Sequence, residues 1–251
     1  MDLHNRVALV TGSGRSIGAA VARVLARQGA AVAVNYHKSR EQAEALLEEI
    51  RGAGGRAAAF RADVRDAAAV EAMVEDVVAT FGHLDSVVNN AISGRQLGVL
   101  EEATAEDYTT AFAFGCQAVV NTTRAARPHF RRAGGGRIVN IVTELWNKGV
   151  PGWSVYLAGK GAMVGLSRSL AGELGPENIT VNMVAPGWMR TEKVDPQSEG
   201  VRAYAASVAL RRQGDAEEIG NACAFFLSAY AGFITGAYLP VAGGNITQMG
   251  A

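Results

Sequence analysis

Short apolar runs recur along this chain, and the stretches between them repeat apolar residues every three to four positions, an alternation that few architectures satisfy. Residues 6–11 form the first run, and Ile17, Ala20, Val21, Val24 and Leu25 then mark one buried face of a helix. A second run, 31–36, precedes a helix over about 39–51, whose Glu41, Glu44, Glu48 and Glu49 form a wet side and which a Gly-rich stretch at 52–55 ends. Runs at 57–60 and 86–89 flank a helix that Asp66 would cap. Further along, the pattern predicts a helix over 105–132, a strand at 137–142 and a helix over 155–174. A strand at 180–185, a helix over 216–228 and a last strand at 237–241 follow. Strands bounded by helices and apolar on both faces belong to a parallel sheet covered on each side. The chain therefore reads as one α/β domain over residues 1–251, a doubly wound parallel sheet with helices on both faces and no linker.

Composition narrows the function. Hydrophobic residues make up 49% and charged residues 19%, which excludes a disordered chain. Lys plus Arg and Asp plus Glu number 24 each, so no net field draws in nucleic acid or an acidic membrane, and neither is expected as a partner. Cys116 and Cys223 lie far apart without metal or disulfide spacing, and the histidines show no ligand pattern, so no metal is expected. The apolar run at 7–10 is too short for a secretory signal, and a reducing cytoplasm fits best. After Glu218 the chain carries no charge, yet Ser228, Gly232, Thr235, Gly236 and Pro240 interrupt it too often for a membrane span.

The turn between the first run and the first helix, Thr11-Gly12-Ser13-Gly14-Arg15-Ser16-Ile17-Gly18, sits where a Gly-rich backbone approaches a pyrophosphate and aims helix amides at it. No Lys-Ser or Lys-Thr follows the glycines, which argues against an ATP or GTP phosphate loop and for a dinucleotide. An NAD site would place Asp or Glu at the end of the second strand, but here stand Asn35, Tyr36, His37, Lys38, Ser39 and Arg40. Without a carboxylate to repel a 2′-phosphate, and with Arg15, Lys38 and Arg40 offering cations, NADP(H) is the expected cofactor. Lys38 and Arg40 equally suit a solvated helix start.

Tyr156 and Lys160 stand four apart in the 155–174 helix and so project from one face. An ammonium beside a phenol favours phenolate, which would lower the phenol pKa and tune a proton donor. Thr143, just past the 137–142 strand, brings a hydroxyl to the same sheet end. Thr11 to Gly18, Asp63-Val64, Asn89-Asn90-Ala91, Tyr156 to Lys160, Asn182 and Pro186-Gly187 with Thr191 follow in an order and spacing that resembles the short-chain dehydrogenase/reductase family over nearly the whole chain. The resemblance extends to 3-oxoacyl-carrier-protein reductase-like members and implies a Rossmann-like fold. It implies that Tyr156 is the general acid/base, that Lys160 binds the nicotinamide ribose and tunes Tyr156, and that Thr143 occupies the carbonyl-orienting serine position. Gly12, Gly14, Arg15, Ser16, Ile17, Gly18, Asn35, His37 and Lys38 are expected to bind the cofactor, and the resemblance implies that Asp63 and Val64 meet the adenine. Asn89, Asn90 and Ala91 would meet the adjacent ribose, and Pro186, Gly187, Met189 and Thr191 the nicotinamide end.

Several residues depart from the family pattern. Ser16 stands at a usual Gly, Ile92 follows Asn89-Asn90-Ala91 where Gly is usual, and Ala242 replaces an Asp. Thr143 adds a methyl group to the family hydroxyl, which stiffens χ1. Gly115 falls where the family carries a helix Asn that supports a water leading to the lysine; Gly keeps the backbone carbonyl, permits a helix irregularity and loses the amide.

Residues 187–214 read as a lid, and Trp188 and Tyr204 within it, with Trp146 and Trp153 beside the catalytic loop, suggest an apolar or aromatic substrate. Glu173 and Glu177 near the end of the catalytic helix weigh against a carrier-protein-bound substrate. The function expected is NADPH-dependent reduction of a ketone, with a small-molecule carbonyl or alcohol as partner. The alternatives are an enzyme on the same scaffold with a non-redox net reaction, and a catalytically silent NADP-binding protein. The uncharged C-terminus, with Phe225, Phe226, Tyr230, Phe233 and Tyr238, points to a homotetramer of the kind the family commonly forms.

Overall fold

The computed structural model describes residues 1–94, 97–192 and 195–245. Its sheet has seven parallel strands: β1 (Val7–Val10), β2 (Ala31–Tyr36), β3 (Arg56–Arg61), β4 (Ser86–Asn89), β5 (Gly136–Ile141), β6 (Ile179–Pro186) and β9 (Tyr238–Val241). They lie in the order β3-β2-β1-β4-β5-β6-β9, which reverses direction beside β1 and opens a crevice at the carboxyl ends of β1 and β4. Helices α1 (Ser16–Arg27), α2 (Arg40–Gly52) and α8 (Ala216–Leu227) pack one face, with Val21, Leu25, Leu46 and Phe226 against Val10, Val32 and Val139. Helices α3 (Ala67–Phe81), α5 (Ala118–Arg132) and α6 (Ser154–Leu174) cover the other face through Val74, Phe130 and Leu174. Burial on both faces explains why β1 is apolar without alternation.

The doubly wound α/β sheet matches the expectation, and strand and helix ends differ from it by a residue or two. Asp66 caps α3 as expected, accepting from the Ala69 amide. The long helix at 105–132 does not keep one pitch. It divides into α4 (Ala105–Phe112), a π turn (Ala113–Gln117) and α5, with Gly115 buried at the middle of the turn. The segment 187–214 also holds more order than expected: β7 (Met189–Arg190) pairs with β8 (Gly214–Asp215), and α7 (Glu199–Ser207) lies between them. Those two strands are short enough to escape any periodicity test. Among the described residues no helix is long and apolar enough to cross a membrane, and no cluster of side chains could hold a metal ion.

Candidate active site

The Gly-rich turn, Asn35, Asn89, Thr143 and Pro186 lie at the carboxyl ends of β1, β2, β4, β5 and β6. The Gly-rich turn leaves β1 with Gly12 at φ 60°, and a Cβ there would sit 2.8 Å from Ala91 Cα, so close approach and a left-handed backbone both demand glycine. Ser16 keeps the left-handed backbone of the glycine it replaces, at φ 53°, and its hydroxyl donates to Glu192 at 2.6 Å. Arg15 is the N-cap residue of α1 without a side-chain cap bond, and no acidic residue lies in the first helical turn. The first amides of α1 are therefore open to an anion. Arg15 and Lys38 are exposed and make no ion pair among the described residues, whereas Arg40 is taken by Glu44 at 2.7 Å.

Three asparagines expected to meet a cofactor are used by the protein itself. Asn35 is 1% exposed; its Oδ1 accepts from the Gly12 amide at 3.0 Å and its Nδ2 donates to the Ala62 carbonyl at 3.2 Å. Asn89 donates to Asn140 Oδ1 at 2.8 Å and accepts from the Thr122 hydroxyl at 2.7 Å, so its amide faces the core. Asn90 donates to the carbonyls of Thr11 and Gly12, and Thr11 Oγ1 in turn accepts from the amides of Asn90 and Ala91. These side chains shape the floor of the crevice; residues at a strand end can turn inward, which spacing does not reveal. Asp63 is chelated by Arg65, whose guanidinium holds its pKa down to about 2, and His37 Nδ1 lies 3.9 Å away. Val64 is buried and offers its carbonyl to Asn121 at 3.1 Å.

Thr143, Tyr156 and Lys160 converge. Thr143 Oγ1 accepts from the Leu145 amide at 3.2 Å, which leaves the hydroxyl proton free to be donated. Lys160 Nζ donates to the Ile141 carbonyl at 2.6 Å and lies 5.9 Å from the centroid of the Tyr156 ring. The expected lowering of the Tyr156 pKa is not what the protein alone provides. Burial pushes the phenol up, against a hydrogen bond with Thr143 that lowers it, and the Glu144 charge pushes the same way as burial. Burial also brings Lys160 down to about 8. Both groups are taken out of water, and desolvation sets the direction of each shift.

Behind this pair lies a cavity of about 20 Å³, lined by Ala91, Phe114, Gly115, Tyr156, Gly159 and Lys160, room for about one water. Gly115 is there because nothing larger fits: a Cβ would come within 2.6 Å of the Gly159 carbonyl carbon. Gly159 is constrained in turn by α4, since its own Cβ would fall 2.5 Å from the Ala111 carbonyl oxygen. Two glycines thus let α4 and the π turn sit directly on the first turns of α6. The sequence alone shows the loss of the amide at Gly115 but not this pairing with Gly159.

The aromatic residues separate. Trp153 packs edge-on to Tyr156 at 5.5 Å between ring centroids, and Trp188 packs edge-on to Tyr204 at 5.6 Å. Trp146 instead lies over Gly161 on the flank of α6, 44% exposed, because the absent Cβ leaves a seat for the indole. It was expected with the other three and does not join either pair. At the nicotinamide end, Pro186 and Met189 are buried, Thr191 is half-buried, and Gly187 donates its amide to the Val241 carbonyl at 3.0 Å.

The geometry matches known proteins. Residues 12–245 match the family described as Enoyl-(Acyl carrier protein) reductase. The solved short-chain dehydrogenase/reductase of Serratia marcescens superposes with a TM-score of 0.91 at 38% identity, covering 98% of this chain and 100% of that one. The chain belongs to the short-chain dehydrogenase/reductase family. A short-chain dehydrogenase from Burkholderia cenocepacia, solved in complex with NADP, is 37% identical with a TM-score of 0.90, covering 98% of this chain and 99% of that chain. The 3-oxoacyl-(acyl-carrier-protein) reductase FabG of Staphylococcus aureus is 38% identical over 238 residues, 94% of this chain and 96% of that protein. Hydroxynaphthalene reductase arp2 of Aspergillus fumigatus is 33% identical over 267 residues, 98% and 97% of the two chains. This oxidoreductase family, and its fold, are what the sequence motifs implied.

Proposed function

We propose that this family member is an NADPH-dependent reductase of a ketone carried by an apolar or aromatic substrate. The observation that carries the proposal is the convergence of the Thr143 hydroxyl, the Tyr156 phenol and the buried Lys160 ammonium beside the open N-terminus of α1. NADPH, when bound, supplies the hydride. Arg15 and Lys38 would hold its 2′-phosphate, the α1 amides its pyrophosphate, and Asp63, Val64 and the turn at Asn90 and Ala91 would frame the adenosine half. The close approach of Gly12 to Ala91 and the exposed Arg15, without an ion pair among the described residues, fit such a group.

Thr143 donates its hydroxyl proton toward the substrate oxygen, and Tyr156 gives that oxygen its proton. A phenol kept protonated by burial is the form needed to donate. Lys160 holds its charge beside the phenol and stabilises the phenolate left behind. Trp153, Trp188 and Tyr204 would line the substrate side, in keeping with a relative named for a hydroxynaphthalene. Glu177, just past α6, pairs with Arg127 and Arg131 and so competes with an acidic carrier for those two cations.

A homotetramer and a cytoplasmic location belong to the same proposal. Phe226 is buried, but Phe233 is fully exposed and Tyr230 is 77% exposed beside β9, an edge strand with one unpaired side. The test of function is NADPH oxidation against a ketone panel, with product analysis repeated without cofactor. Tyr156→Phe is expected to lower turnover at least about a hundredfold while NADPH binding is kept. Near-normal turnover in that variant would remove the mechanism, and product formed without cofactor would favour a non-redox reaction.

A further inference from the structure

The C-terminal turn touches both the lid and the segment that carries Thr143. On the lid side, the Leu210 amide donates to the Gly243 carbonyl at 3.0 Å. The Tyr204 hydroxyl accepts from the Trp188 amide at 2.9 Å, and burial raises its pKa against the pull of that bond and of the Asn245 side chain. On the catalytic side, Asn245 Nδ2 donates to Glu144 Oε1 at 3.1 Å, and Lys148 Nζ donates to Asn245 Oδ1. Glu144 is the residue after Thr143. It is 3% exposed, and its second oxygen, Oε2, has no hydrogen-bond partner and lies 3.9 Å from Lys148. One strand earlier, the Tyr238 hydroxyl donates to the Thr143 carbonyl at 2.7 Å.

Burying a carboxyl group this deeply is costly unless it is paired; here Lys148 supplies the nearby charge and Asn245, about a hundred residues away, the hydrogen bond. Thr143 is thus gripped at two points: at its carbonyl by Tyr238 of β9, and through its neighbour Glu144 by Asn245 in the turn after that strand. That turn also carries the backbone bond to the lid.

We propose that Glu144 and Asn245 are a positioning pair, which fixes the Thr143 hydroxyl only when the C-terminal turn and the lid are seated. The pair rests on the role given above to Thr143, and it acts through that residue without touching substrate. Substrate binding under the lid would in this way also align the hydroxyl that orients the carbonyl. The polarity of the pair matters: Asn245 must donate to Glu144 while accepting from Lys148, a task for which an amide is suited and a carboxylate is not.

That polarity supplies the test. Asn245→Asp sets two carboxylates against each other, and the double variant Glu144→Gln with Asn245→Asp restores both hydrogen bonds in reverse, with Gln donating to Asp and Lys148 still paired. Amide hydrogen exchange over 143–148 and 199–208 reads the coupling without turnover, so a failed ketone assay does not mask it. Asn245→Asp is expected to speed exchange in both segments at least tenfold, leave the NADPH dissociation constant within twofold, and lower kcat about tenfold once a substrate is known. The double variant is expected to return all three to within threefold of the parent. Parental exchange in Asn245→Asp, or a double variant as impaired as the single one, would overturn the proposal. Tyr238→Phe, which keeps the ring and removes only the hydroxyl, guards against loss of fold. It should speed exchange over 143–148 and spare 199–208, and unchanged exchange over 143–148 would count against the grip on Thr143.

Discussion

Replacing Gly115 by Asn, the residue that the family resemblance implies there, should weaken this protein. The π turn brings Gly115 so close to α6 that an added Cβ meets the Gly159 carbonyl carbon at 2.6 Å, with the Gly159 Cα at 2.9 Å. These are backbone atoms within a helix, so no side-chain rotation relieves the contact, and α6 has to move away from the turn. Overpacking of this kind costs about 1–3 kcal/mol, and a clash with backbone belongs at the upper end. For a chain of this size about 1 kcal/mol shifts Tm by roughly 2–4 °C, so a loss of about 6–12 °C is expected. Gly115→Ala should lose nearly as much, because Cβ and not the amide is the obstacle. Moving α6 also displaces Tyr156 and Lys160, so turnover should fall beyond the stability effect. Thermal melts followed by circular dichroism, with urea midpoints as a second measure, read the change. If Gly115→Asn melted within about 2 °C of the parent, the turn would have relaxed to ordinary helical pitch at little cost. The inference that glycine is obligatory would then be refuted.

Three further outcomes follow from the site and the surface. Arg15→Ala should weaken NADPH by one to two decades, about 1.5–3 kcal/mol for a charge-assisted contact, and leave NADH almost unchanged; titrating both cofactors checks it, and equal losses would place the 2′-phosphate elsewhere. Lys160 titrates at about 8 in the folded chain, whereas an unfolded lysine titrates near about 10.4. Between those values the unfolded chain binds the additional proton, so this group makes stability rise with pH from about 8 to about 10. Urea midpoints at the two ends should show the rise in the parent and a flatter profile in Lys160→Met, and identical profiles would refute it. Light scattering should give a multiple of 26.2 kDa, with Phe233→Glu shifting the mass downward; a single-chain mass for the parent would end the tetramer proposal.

The alternation of apolar runs and helical faces was enough to specify a parallel sheet covered on both sides, because burial on both faces removes polar alternation from a strand. Likewise, the four-residue spacing of Tyr156 and Lys160 determined that they share a face of α6, since helical geometry is local. What the sequence could not decide was the direction of side chains at strand ends. Asn35 and Asn89 stand at cofactor-like positions, yet their amides satisfy Gly12 and Asn140, because a buried amide must find its partners wherever packing puts them. The pKa of Tyr156 was also beyond sequence, for only the tertiary structure sets the burial that raises it and the Thr143 hydrogen bond that opposes that rise. Gly115 was visible as a departure from the family pattern, but its reason is a contact with Gly159, 44 positions away, that folding alone creates. The grip of Tyr238 and Asn245 on the Thr143 segment spans about a hundred residues and carries no local signature. Short-range periodicity and helix geometry are written in neighbouring residues, whereas desolvation, close backbone approach and hydrogen bonds across the fold exist only once distant segments meet.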